Sequence, residues 1–346
     1  MVQKKDSNYS TQILSSLDIT EVNKFYIIIF FLNLVFDGGI GIIEMMYKTN
    51  IFGLVGGGTN PKYTPNKVIL WDDYQTKVLY EFKLTSSIKN LKLKKEKIII
   101  VCEQRIYVYS TDKYKLIQTI ETSKNELGII GVNTDADINI MGFPIFPEGF
   151  IKVQSDEQSQ EVDIHVDDGL ISYIGINSDG TLVASACNKG QIIRVFYISN
   201  GKFLEEFRTG QGSATISCIS FDEYSSWMGV CSELGVVHIF SMGNVWNILK
   251  ESGENRKKVP QTQEELPKNE SSFLKKFPKF LTKGAYDGDK CFAKVKIEQQ
   301  PAICAIFPDH TIIAVTSTGK FYQSKVNLPK GGTCSIIKIE DLTKNK

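Results

Sequence analysis

Short apolar runs of strand character return along this chain at a nearly fixed interval, each followed by a polar turn. They fall at residues 68–71 (Val-Ile-Leu-Trp), 106–109 (Ile-Tyr-Val-Tyr), 151–154 (Ile-Lys-Val-Gln), 193–196 (Ile-Arg-Val-Phe), 237–240 (Val-His-Ile-Phe) and 319–322 (Gly-Lys-Phe-Tyr). Their last residues lie 38, 45, 42, 44 and 82 positions apart. The first four intervals match the roughly 40–45 residues of one four-stranded propeller blade. The fifth equals one such interval plus an insertion of about 40 residues. Residues 79–84 and 203–207 follow turns at 72–75 and 199–201 that suit hairpins. No long stretch before residue 240 carries a helical period.

This pattern predicts an all-β chain closed by radial repetition, an arrangement that leaves only short, protected sheet edges. The repeats begin at about residue 51, and residues 1–36 show no clean hairpin, so the first blade reads as abbreviated. The expected division is a leader or partial first blade over 1–35 and a β-propeller over 36–346, with the insertion at 243–290. Residues 25–36 form the most apolar stretch. They are fewer than the roughly 20 that a spanning helix needs. Behind a mixed-charge leader they also lack the form of a secretory signal, and they read as buried strand.

Composition narrows the function classes. Lys and Arg together number 40 against 39 Asp and Glu, so no global basic field draws the chain to nucleic acid. Any anionic partner must be met by a local patch. The lysines within 89–97 alternate with apolar residues and read as a solvated strand face. Seven cysteines lie scattered without a single CxxC pair, and there are three histidines. Buried reduced thiols are expected, with no metal site and no cofactor. Residues 56–58 (Gly-Gly-Gly) are not followed by Lys-Ser or Lys-Thr and do not open a helix, so they are neither a phosphate loop nor a dinucleotide fingerprint. No nucleophile elbow, HExxH or set of acid, base and nucleophile is present, and no enzyme is expected.

At residues 54–58 (Leu-Val-Gly-Gly-Gly) and 65–73 (Pro-Asn-Lys-Val-Ile-Leu-Trp-Asp-Asp) the chain closely resembles the PROPPIN family of WD-repeat phosphoinositide-interacting proteins. The likeness is greatest to the branch of human-type members three and four. It continues at 44–50, 106–109, 120–122, 125–128, 192–196, 207–210 and 237–241, and covers about 36–340. The resemblance implies a seven-bladed WD40-like β-propeller. It implies a non-enzymatic adaptor that binds phosphatidylinositol 3-phosphate and the 3,5-bisphosphate through two pockets on the propeller's side. The expected setting is autophagosome formation, with a lipid-transfer partner protein, in a cytoplasmic protein recruited peripherally to phagophore and endolysosomal membranes.

The family signature is Phe-Arg-Arg-Gly, one arginine for each pocket, because a guanidinium meets phosphate oxygens two at a time and keeps its charge. Here residues 207–210 read Phe-Arg-Thr-Gly, so Arg208 stands in the first arginine's place and Thr209 in the second's. The resemblance places Ser185 in the first pocket, with Lys189 as a nearby cation and Asp167 at the position of an expected histidine, and Arg194 is a further headgroup-binding candidate. It assigns Ser232 and His238 to the second, where Leu234 and Val236 replace a lysine and a threonine. That second pocket is expected to be weak or silent. The plainer alternative for Arg208 is a strand-end arginine paired with Glu205 or Glu206, and Arg194 reads equally well as structural.

The insertion falls where the family carries the membrane-contacting loop of its sixth blade. Its first part, 251–272, is polar and charged. In its second part, Phe273, Leu274, Phe277, Phe280 and Leu281 outline one helical face, flanked by lysines including Lys275 and Lys276. Pro278 argues against an unbroken helix, so an amphipathic loop is expected. Packing of its aromatics on the propeller rim is the alternative. For the whole chain, the alternative to a lipid adaptor is a protein-binding propeller scaffold that has lost lipid recognition.

Overall fold

The computed structural model describes residues 38–47, 49–156, 160–188, 190–210, 214–254, 266–270, 289–328 and 330–342. These residues form six sheets. The first joins β1 (Ile40–Met45), β2 (Ile51–Gly56), β3 (Lys67–Asp72) and β4 (Lys77–Lys83). The second joins β5 (Ile88–Leu93), β6 (Lys97–Cys102), β7 (Arg105–Ser110) and β8 (Leu116–Glu121). The third joins β9 (Gly131–Val132), β10 (Ile140–Ile145), β11 (Phe150–Ser155) and β12 (Gln160–His165). The fourth is built on β13 (Ile171–Ile176), β14 (Leu182–Cys187), β15 (Ile192–Tyr197) and β16 (Phe203–Arg208).

The fifth begins with β17 (Ile216–Phe221), β18 (Trp227–Ser232) and β19 (Val236–Ser241). The chain then enters α1 (Gly243–Glu251) and returns as β20 (Asp289–Lys290) and β21 (Ala293–Lys296). β20 adds a parallel edge to the fourth sheet, whereas β21 is the antiparallel fourth strand of the fifth. The sixth sheet joins β22 (Ala302–Ile306), β23 (Thr311–Thr316), β24 (Lys320–Lys325) and β26 (Ile336–Asp341), while β25 (Gly332–Thr333) pairs with β21.

Each recurring run read from the sequence is the third strand of its sheet: β3, β7, β11, β15, β19 and β24. These strands are hydrogen-bonded on both sides, and in the second to fifth sheets they are flanked by described sheets on both faces, which favours mixed apolar and β-branched residues. The repeats begin earlier than their spacing suggested. Ile40–Met45 pairs with Ile51–Gly56, so the first sheet starts at residue 40 and not at about 51. The described residues thus hold six sheets, and residues 1–37 lie outside them.

Neighbouring sheets are cemented by apolar clusters drawn from both. Val55, Val68 and Leu70 of the first pack with Leu91, Ile98 and Ile100 of the second. Between the fourth and fifth, Ala184, Val195 and Phe207 meet Ile219, Val230 and Phe240, and α1 adds Val245, Trp246 and Leu249. All seven cysteines are free, six of them buried. Burial pushes the thiols of Cys102, Cys231 and Cys291 up, the last to about 11. Among the described residues no group of three or more His, Cys, Asp or Glu is placed to hold a metal ion.

Candidate lipid-headgroup clefts

The turn from β14 to β15 is held against the next sheet by a glycine. Gly190 has φ +61°, and a Cβ there would come within 1.4 Å of the Ala214 carbonyl oxygen. Gly235 repeats the arrangement one sheet later, at φ +73° and 2.4 Å from the Glu298 carbonyl oxygen. Only glycine combines that conformation with so close a backbone approach. Both turns are thereby seated deep against the connection to the following sheet, beside the residues that the sequence singles out.

Arg208 ends β16, in register with Ile192 of β15. Successive side chains of a strand face opposite ways. Phe207 points into the cluster between the fourth and fifth sheets, so Arg208 faces the third. Arg194 shares that face. Its Nη1 donates to the Val166 carbonyl at 2.7 Å and pairs with Asp167 at 2.8 Å, while its Nε donates to Glu206 at 3.0 Å. Its guanidinium is held by two carboxylates and a carbonyl, which is the structural alternative for this residue. The same pairing neutralises Asp167, the carboxylate that would otherwise oppose an anion there. Glu206 is thus engaged by Arg194, and Glu205 accepts a bond from Asn244 of α1.

Ser185 lies opposite Arg194 across β14 and β15. It is fully buried, and its hydroxyl donates to the Tyr173 carbonyl at 2.9 Å. A hydroxyl so placed ties β14 to β13. Lys189 lies outside the described residues.

The residues assigned to the second pocket lie on the fourth and fifth sheets, whose facing sides pack together. Thr209 closes the β14–β15 turn, its hydroxyl donating to the Gly190 carbonyl at 3.1 Å. Ser232, 3% exposed, ends β18 opposite Val236, and Leu234 stands exposed at the tip of that turn. His238 is 8% exposed, lies near the Phe240 ring and is in register with Lys294 of β21. Burial, then the charge of Lys294, holds its pKa down to about 4, so the imidazole is neutral at physiological pH. Its Nδ1 is buried without a hydrogen-bond partner.

The insertion is tied to both clefts. Asn269 exchanges hydrogen bonds with the backbone of Ser241, and Lys290 donates its backbone N–H to Glu270. On its return, β20 sets Lys290 in register with Arg208, and β21 sets Lys294 in register with His238. Phe273, Leu274, Lys275, Lys276, Phe277, Phe280 and Leu281 lie outside the described residues. Sequence reasoning missed Lys290 and Lys294. Nothing in the linear pattern says which residue of the returning strand meets which partner across an insertion of this length.

Comparison with known proteins agrees with this architecture. The chain is 29% identical over 299 residues to autophagy-related protein 18e of Arabidopsis thaliana, covering 86% of this chain and 75% of that relative. It is 26% identical over 352 residues to autophagy-related protein 18 of Yarrowia lipolytica, covering 89% and 88%. Among solved structures, Hsv2 of Kluyveromyces lactis superposes with a TM-score of 0.66 at 18% identity, over 88% of this chain and 87% of that one. KlAtg21, solved in complex with the coiled-coil of AgAtg16, superposes with a TM-score of 0.66 at 19% identity, over 87% and 85%. The sequence model of the PROPPIN family matches residues 39–343, from the first described sheet to the last, and this chain belongs to that family.

Proposed function

We infer that the chain is a non-enzymatic adaptor that binds 3-phosphorylated inositol lipids and works in autophagosome formation. The observation that carries the reading is Arg208 in a PROPPIN chain: a guanidinium at a strand end, facing the cleft between the third and fourth sheets, with the return of the insertion beside it. A single headgroup contact or a single shallow insertion holds a membrane weakly and reversibly, whereas the two acting together hold it well. The aromatic and lysine-flanked residues 273–281 are the proposed second contact.

No helix among the described residues is long and apolar enough to cross a membrane. Peripheral recruitment from the cytoplasm to phagophore and endolysosomal membranes fits this reading, as does an autophagy lipid-transfer protein for a partner. Flotation of the purified protein with liposomes tests it. Selective recovery with phosphatidylinositol 3-phosphate is expected, reduced about tenfold or more by Arg208→Ala, the worth of a charge-assisted phosphate contact. Equal recovery with and without the 3-phosphorylated lipid would favour the scaffold alternative. Separately, Phe273, Phe277 and Phe280 replaced together by Asp should abolish stable recovery, and unchanged recovery would retire the membrane role of the insertion.

A further inference from the structure

The outermost strand of each sheet presents one row of backbone N–H and C=O groups that no strand of its own blade can take. In the fourth and fifth sheets the chain fills that row itself, β20 running parallel along β16 and β25 along β21. The sixth sheet has no such fifth strand: among the described residues β26 is paired only with β24. That bare edge carries three exposed isoleucines, Ile336 at 37%, Ile337 at 61% and Ile339 at 58%.

The ladder fixes which residues of β26 offer their backbone outward. Leu342, just past the strand, donates its N–H to the Gly319 carbonyl at 3.0 Å, so that residue is turned inward. Inward and outward residues alternate along an antiparallel edge strand. Glu340 and Lys338 therefore turn inward with Leu342, while Ile339 and Asp341 turn their N–H and C=O groups outward. An identical strand laid antiparallel about a twofold axis through Ile339 meets these groups in register. Ile339 exchanges both of its bonds with Ile339 of the second copy, and Asp341 lies opposite Ile337. Lys338 then stands opposite Glu340, in the close, non-hydrogen-bonded position. These two side chains already pair within one strand at 2.6 Å, and across the axis their charges alternate in sign.

The other bare edges do not match themselves in this way. A twofold through Tyr80 at the middle of β4 sets Lys77 against Lys83, one through Val162 of β12 sets Glu161 against Asp163, and β8 holds a single charge, Glu121. Like charges directly opposite one another disfavour pairing.

We propose that β26 is a self-recognition edge through which two copies of this chain form a twofold dimer, joining their sixth sheets into one. The symmetry closes the contact, so assembly through this edge stops at two. A strand pair of this length falls short of the roughly 1,000 Å² that a lasting interface buries. The dimer is therefore reversible, and a membrane that confines the copies strengthens it by raising their effective concentration. The pairing uses no residue of the headgroup clefts.

Sedimentation of the full-length chain over a concentration series, without lipid, tests the edge. A monomer that passes into a dimer as the concentration rises is expected. Lys338→Glu should weaken the dimer about tenfold or more, since like charges then face each other. Lys338→Glu combined with Glu340→Lys should restore it. Ile339→Cys tests the register. The axis sets this position about 5.5 Å from its own copy between Cα atoms, within the range a disulfide spans. Mild oxidation should then yield a covalent dimer. Ile337→Cys is as exposed, but its copies lie roughly 13 Å apart along the strands, and it should stay monomeric. A thermal melt identifies any charge variant that fails to fold, in which case the two cysteine variants carry the test. A monomer at every concentration, with both cysteine variants linking to the same slight extent, would overturn the proposal. So would a dimer that the folded Lys338→Glu variant leaves unchanged.

Discussion

His238 carries a cost that reveals itself in acid. An ordinary histidine titrates near 6.5, and in the unfolded chain His238 does so, whereas in the fold it resists protonation until about 4. Between those values the unfolded state binds the extra proton, so stability is fullest above about 6.5 and falls as the pH drops toward 4. The integrated loss is on the order of 3 kcal/mol. The charged group set against it is Lys294, whose ammonium repels an imidazolium. Urea unfolding at intervals from pH 7 to pH 4 should show the unaltered protein losing stability faster than His238→Asn. Parallel curves for the two would show that the histidine is not the group being titrated. Much of this residue-scale picture was legible in the sequence, but unevenly. Arg208 and His238 were singled out because they sit inside short local motifs. The direction of the Ser185 hydroxyl and the pairing of Arg194 with Asp167 were not, since both depend on how one strand faces another. Lys294 was invisible for the same reason.

The strands were the most legible elements, because a third strand bonded on both sides must be apolar and the period repeats it. β1 was missed because its sequence, Ile-Gly-Ile-Ile-Glu-Met, has no polar turn of the repeating kind before it and joins a sheet whose other strands follow. The turns that link one sheet to the next were also unreadable. Lys94, between β5 and β6, is 3% exposed, and its ammonium donates to the Asn133 carbonyl at 2.9 Å, to Asn133 Oδ1 at 3.1 Å and to the Asp135 carbonyl at 2.5 Å. Asn133 in turn donates to Ser178, and Asn177 donates to Ser225 at 2.9 Å. Trp246 of α1 donates to the Ser225 carbonyl at 2.7 Å. First-to-second-strand turns of four successive sheets are thereby latched to one another and to the start of the insertion. Lys94→Met keeps the side-chain bulk but removes a charged donor shared by three acceptors, of which Asn133 Oδ1 and the Asp135 carbonyl keep another donor, and should cost about 2–3 kcal/mol in chemical unfolding. A change below about 0.5 kcal/mol, the level of an ordinary surface substitution, would show that the latch contributes nothing. Gly190→Ala addresses the turn at the clefts. The added methyl meets the Ala214 carbonyl at a distance no side chain tolerates, so the turn must move. Headgroup binding should weaken even where the melting temperature is little changed.

A ring of radial sheets is stable only when every apolar face is covered, and two faces here ask for a cover. The first sheet meets the second through one face, and its other face carries Met45, Phe52, Leu54 and Ile69. The sixth meets the fifth through one face, and its other face carries Ala305, Ile313, Val315 and Phe321. All eight are at most 4% exposed, yet neither cluster includes a described residue from another sheet. Leu342, just past the last strand, joins the sixth-sheet cluster and is too small a cover for it. The most apolar stretch of the sequence, residues 25–36, lies in the leader that the sequence reads as a partial first blade and that falls outside the described residues. Deleting it tests that reading. Removing residues 1–37 should then lower the melting temperature by many degrees and raise the fluorescence of an added hydrophobic dye, because two apolar faces of a closed ring would meet water. Headgroup titration is the control that separates this from damage at the clefts, which are formed by the third, fourth and fifth sheets. The shortened chain, held below its lowered melting temperature, should still bind inositol 1,3-bisphosphate with the affinity of the full-length chain. A truncated protein that melts where the full chain melts, with no gain in dye fluorescence, would show that the leader covers nothing and that those faces are closed by other means.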